Sequence, residues 1–137
     1  MIDLTKAKEA AMFSETFVAD PDHDYFIGPE VPVDEAWELN TLWLRVGEQG
    51  VAEAMIGVVD DDKFICLASR VNLMRGDSIS WSGSVLLESG HQVLYRTTGA
   101  RQDCEVACSA TWRVLSVVKS PRGKSTGGGN GSTPTAN

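Results

Sequence analysis

The chain has 137 residues, 42% of them hydrophobic and 23% charged, which supplies one core's worth of apolar material and sets aside a wholly disordered protein. Its formal net charge is −7, and since residues 119–137 hold Lys119, Arg122 and Lys124 with no acid, the remainder stands at −10. An acidic body speaks against direct nucleic-acid binding, which needs clustered lysine and arginine, and no apolar run reaches the ~18 residues of a membrane span.

At the N-terminus, MIDLTKAKEAAMF has no uninterrupted apolar stretch of the secretory kind, so a chain made and kept in a reducing cytoplasm is expected. Residues 3–18 are rich in good helix formers and have Asp3 or Thr5 as a cap, which predicts a short helix. An extended arm docking on another molecule is the alternative, and residues 1–23 are set apart from the domain. The next stretch, with Pro21, Pro29 and Pro32, predicts turns and edge-like chain that cannot pair on both sides. Asp22, His23 and Asp24 read as a polar loop tip, because no further ligand is spaced to complete a metal site.

From Ala36 the period becomes two. Trp37 and Leu39 share one parity, Leu42, Leu44 and Val46 the other, so a bulge or bend is expected near Asn40-Thr41. A turn over Gly47 to Gly50 leads into the strand VAEAMIGVV. Asp60-Asp61-Asp62 is a turn that lacks the spacing of a calcium loop, and KFICLAS follows as a strand. Arg75-Gly76-Asp77 is the tripeptide of matrix adhesion motifs, but its glycine reads more simply as a turn residue. The strands SISWSGSVLL and HQVLYRTT come next, separated by a turn at Ser89-Gly90 and followed by one at Gly99.

CEVACSATWRVLSVV alternates most clearly: Cys104, Val106, Cys108, Ala110, Trp112 and Val114 are expected inside, with Glu105 and Arg113 on the other face. Along that strand Cys104 and Cys108 lie ~13 Å apart, beyond the ~7 Å limit for a disulfide. Cys66, Cys104 and Cys108 are therefore expected reduced and largely buried. Six to eight strands spaced by turns predict an all-β protein, an antiparallel, jelly-roll-like β-sandwich over 24–118. Residues 119–137, rich in Gly, Ser and Thr, predict a flexible tail. Its cations Lys119, Arg122 and Lys124 could meet the acidic face of an adjacent copy.

Catalytic constellations are missing from this pattern. Histidine occurs at His23 and His91 only, with no nucleophile elbow, zinc-protease helix or phosphate loop, and a pairing of Cys66 or Cys104 with His91 has surface histidine and buried thiol as its simpler reading. No enzyme activity, cofactor or metal is expected. Trp37, Trp43, Trp81 and Trp112 all fall on strands, and two or three of them are expected to pack. One left at the surface, with Trp43 the candidate, would anchor a contact or form a sugar-stacking platform. A carbohydrate- or protein-binding module using an exposed tryptophan is thus the alternative function.

Taken together, VPVDEAWELNTLWLRV, IGVVDDD, SWSGSVLLESGHQVLY and CEVACSATWRVL resemble small β-sandwich structural proteins of tailed-bacteriophage virions. The resemblance covers about 31–115. It rests on an entry through Val31-Pro32, Trp37 and Leu39, and on a late turn with Leu87, Gly90 and Val93. His91 stands where aspartate is common in that turn. The resemblance implies a non-enzymatic virion component, such as a capsid decoration, neck, collar or fibre-associated protein. Its implied partners are other virion proteins and symmetric copies of itself.

Overall fold

The computed structural model describes residues 2–3, 9–100 and 103–117, and every regular element among them is a strand. In chain order these are β1 (Ile2–Asp3), β2 (Glu9–Ala19), β3 (Tyr25–Glu30), β4 (Glu35–Val46), β5 (Val51–Asp60), β6 (Lys63–Leu73), β7 (Ser78–Leu87), β8 (Gln92–Thr98) and β9 (Cys104–Val117). Two antiparallel sheets result. The first runs β2-β9-β4-β7, with β1 pairing the far end of β9, and the second runs β3-β8-β5-β6. Apart from the β5–β6 hairpin, every link from β2 onward carries the chain from one sheet to the other. The tail cations Lys119, Arg122 and Lys124 lie outside the described residues.

Alternation explains why the sheets face each other. Cys104, Val106, Cys108, Ala110, Trp112 and Val114 of β9 are buried, and so are Leu39, Leu42 and Leu44 of β4, whereas Glu105 and Arg113 are exposed. From the second sheet Ala54, Ile56, Val58, Val93 and Tyr95 enter the same core. Asn40 is the extra residue that resets the parity of β4, since Leu39 faces Trp112 and Thr41 faces Thr111. At one side of the core Phe13 and Phe17 of β2 stack on Phe26 of β3, at 6.0 and 5.5 Å between ring centroids. Tyr95 Oη donates to the Ser109 carbonyl at 2.8 Å, tying β8 to β9 and satisfying a hydroxyl that is wholly buried. Trp37 and Trp112 stack at 4.3 Å.

Over 9–18 the helix expected for residues 3–18 is replaced by a strand, since Glu9–Ala19 pairs residue for residue with residues 104–114. Residues 4–8 of that expectation lie outside the described residues. The helix-forming alanines and glutamates are outweighed by the ladder to β9 and by a face of Ala11, Phe13, Phe17 and Ala19 at period two. The segment is extended, as in the arm alternative, but it docks on its own chain, so the sheet begins ahead of residue 24.

Each edge strand carries a device against further pairing. Glu15 of β2 falls on the core-facing parity between Phe13 and Phe17, and β3 contains Pro29, which has no N–H. On β6 the register breaks at Leu67, and β7 is irregular opposite Asn40. Arg70 of β6 reaches across to donate to the Ser78 carbonyl at 3.2 Å and to Asp77 at 3.3 Å.

All three cysteines are free, with Cys104 and Cys108 buried, but Cys66 is exposed and corrects the expectation of three buried thiols. Edge strand β6 has a neighbour on one side only, and its break at Leu67 leaves Cys66 opposite Gly57 on the outer surface. Burial first, with the Glu15 carboxylate second, pushes the Cys108 thiol up to about 12. At pH 8 a thiol reagent is expected to label one group, Cys66, rapidly in the native protein and three after denaturation. Rapid labelling of three native thiols would overturn this placement.

Candidate interaction faces

The outer face of the second sheet mixes apolar and polar side chains. Tyr25, Arg96, Met55 and Ser69 form one row across β3, β8, β5 and β6, and Ile27, Leu94, Gly57 and Cys66 form the next. Val71 and Glu53 face each other in the row beyond Ser69. Tyr25 and Val71, beside Arg96 and Glu53, are 56% and 60% exposed. A recess of about 300 Å³ opens between Asp24, Tyr25, Leu94 and Arg96, where Arg96 pairs with Asp24 at 3.5 Å.

Small hydroxyl side chains pave the outer face of the first sheet. Ser14, Ser109, Trp43 and Ser80 form one row, flanked by Thr16, Ala107, Arg45 and Ser78 on one side and by Met12, Thr111, Thr41 and Ser82 on the other. Trp43, the candidate contact residue, sits half-buried amid them. Trp37 and Trp112 are core, and Trp81 is partly buried against it, so Trp43 is the tryptophan on the outer face. Arg113 pairs with Glu38 at 3.3 Å, and Ser84 Oγ donates to the same carboxylate at 2.8 Å. Next to Arg45 a groove of about 270 Å³ lies between the β4–β5 and β6–β7 links.

Neither face gathers a catalytic set. His23 sits in the β2–β3 link and His91 in the β7–β8 link, at opposite ends of the strands. Asp20 accepts the Asp22 and His23 N–H groups, both at 2.8 Å, and these bonds, the first above all, hold its carboxyl below the usual range. Among the described residues no three His, Cys, Asp or Glu side chains gather as metal ligands, and no helix is long and apolar enough to cross a membrane.

The Arg75-Gly76-Asp77 turn has a twin in the chain. Leu73 and Ile79 bracket it, as Leu87 and Val93 bracket Ser89-Gly90-His91, and all four are buried. Gly76 and Gly90 have φ of 78° and 91°, the left-handed region that favours glycine. In both turns the residue after the glycine takes the N–H of the residue three before it. Asp77 accepts from Met74 at 2.8 Å, and His91 Nδ1 accepts from Glu88 at 3.0 Å. Asp77 is thereby committed to building its turn. His91 does an aspartate's work in the second copy, while its Nε2 lies 3.2 Å from Asp60. The pattern Leu-x-x-Gly-x-x-apolar, repeated at both ends of β7, is the sequence signal for this pair.

Sequence reasoning missed Tyr25, Ile27, Met55, Leu94 and Val71 as a face, because β5 is apolar on both parities and the outward parity of β8 mixes Leu94 with Gln92, Arg96 and Thr98. It also missed Arg45. No protein-family model matches the chain, and no curated protein matches its sequence.

Proposed function

We propose that the chain is a non-enzymatic structural protein of a tailed-phage virion, a jelly-roll β-sandwich that packs against copies of itself and against other virion proteins. The strand orders β2-β9-β4-β7 and β3-β8-β5-β6, with links that alternate between sheets, support the jelly-roll reading, an architecture common among capsid and lectin domains. The residues that carry the virion resemblance are fold-forming. Val31, Trp37, Leu39, Leu87 and Val93 are buried, and Gly90 makes the turn.

The observation that carries self-association is the outer face of the second sheet. Exposed Tyr25, Ile27 and Val71 on a layer already backed by a core offer a contact surface that folding does not use. Arg96 is already held by Asp24 within the chain, so a second copy in a symmetric contact meets a face on which that charge is answered and the exposed apolar side chains lead. Sedimentation over a range of concentrations is expected to show a closed oligomer. The double variant Tyr25→Glu, Val71→Glu is expected to shift its midpoint at least tenfold toward monomer while the fold persists. A wild-type chain that stays monomeric at every concentration and is missing from purified particles would rule the proposal out.

A further inference from the structure

We infer that the outer face of the first sheet, between Trp43 and Arg45, is a binding site for an acidic saccharide. On this face Ser80 and Ser109 lie directly beside Trp43, with Ser14 one strand further on. Hydroxyls this short leave the indole as the bulkiest group of its row, and a half-buried indole is both held in place and available to the C–H face of a pyranose ring. Serine and threonine hydroxyls both donate and accept, which suits the ring hydroxyls of a sugar.

Arg45 specifies the charge. It lies two residues from Trp43 on the same face, ~7 Å along the strand, about the reach of one sugar ring. Arg70, Arg75, Arg96 and Arg113 each have a carboxylate within 3.9 Å, yet Arg45 has none among the described residues, in a protein of net charge −7. Its guanidinium lies beside the Gly76 turn, where a Cβ at Gly76 would stand in ordinary contact, 3.7 Å from Nη2. The adjoining groove has Arg75 and Thr16 on its walls together with Glu48 and Glu105. Two carboxylates beside two guanidinium groups disfavour a dense polyanion. They favour a ligand with one acidic group among many hydroxyls, whose donors Glu105 can receive. A neutral glycan would leave Arg45 unanswered, and an acidic peptide would leave Trp43 and the hydroxyl row unused.

The test is calorimetric titration of the full chain with sialyllactose and galacturonate, each carrying one carboxylate, with lactose and galactose as their neutral counterparts and a glutamate-rich peptide as a third arm. At least one acidic sugar is expected to bind ten or more times tighter than its neutral counterpart and the peptide. Arg45→Gln is expected to abolish that preference, and Trp43→Ala to weaken binding at least tenfold. Trp43→Phe, which keeps a ring should the alanine variant fold poorly, is expected to retain most of it. Arg113→Gln, already paired with Glu38 in the wild type, is expected to bind as the wild type does. No binding by any sugar, equal binding of charged and neutral sugars, equal binding of the peptide, or an unaltered preference in Arg45→Gln would each overturn the proposal. Self-association through the other sheet is read separately by sedimentation and survives any of these failures.

Discussion

Replacing Trp112 by alanine is expected to remove about 3–5 kcal/mol of folding stability, as large-to-small core changes do. Trp112 is only 7% exposed and lies in the middle of the ladder between β2 and β4, stacked on Trp37. Truncation opens a cavity and removes a stack worth ~0.5–1.5 kcal/mol beyond the area it buries. Domains of this size commonly hold about 5–15 kcal/mol in all, so the variant stands near the edge of folding. Trp112→Phe is expected to be much milder. Among the described residues the buried Trp112 Nε1 has no hydrogen-bond partner, so deleting that N–H offsets part of the lost volume. On the opposite face Arg113→Ala breaks a surface pair with Glu38 and is expected to lose under ~1 kcal/mol. Urea titration of the three variants is the check, and equal losses from Trp112→Ala and Arg113→Ala would refute the placement of β9.

The second large effect is expected at Gly57, in the central strand β5. A Cβ there would stand 2.0 Å from the Ile65 carbonyl oxygen and 2.9 Å from its carbon. Those atoms are backbone, brought close where β6 breaks register between Ala68 and Cys66. Alanine can be seated only by pushing β6 away from β5, so Gly57→Ala is expected to lose about 3 kcal/mol, the upper part of the overpacking range. Gly83→Ala is the control. Its Cβ would come 2.9 Å from the Trp81 ring, a partly buried side chain and not backbone, so a few tenths of an ångström of ring movement relieves the clash. Thermal unfolding of both variants measures the contrast, and a Gly57→Ala melting point within a degree or two of wild type would contradict the close approach.

Strand β9 could be read from sequence because its alternation is uninterrupted and one face of it is core. The bulge at Asn40 was readable for the same reason: two clean parities met there and disagreed. Strand β2 was not, because Glu9, Ala10, Ala11 and Met12 favour helix locally, and the ladder that overrides them belongs to a strand nearly a hundred residues away. Cys66 was misplaced because the expectation rested on the usual burial of free cysteine, whereas this one sits on an edge strand beside a bulge. The order of strands within each sheet depends on pairings that local pattern does not encode. As for the sites, Trp43 was accessible from its parity against Leu42 and Leu44. That Arg45 has no carboxylate partner among the described residues became visible only in the structure, where Arg70, Arg75, Arg96 and Arg113 have theirs.

The guarded edges bear on how such a molecule tolerates crowding. Two identical sheets meeting side by side would ordinarily zip together through their free N–H and C=O groups, and growth of that kind has no natural stopping point. Glu15, Pro29, the break at Leu67 and the Arg70 bridge each make such zipping unfavourable at a different border. What stays open to contact is the broad side of each sheet, where side chains and not backbone decide who binds and how many. A chain built in this way can be concentrated among its own copies and still join them in finite, countable arrangements. Removing the guards, for instance with Glu15→Val together with Pro29→Val, would be expected to turn the same molecule into a seed for fibres.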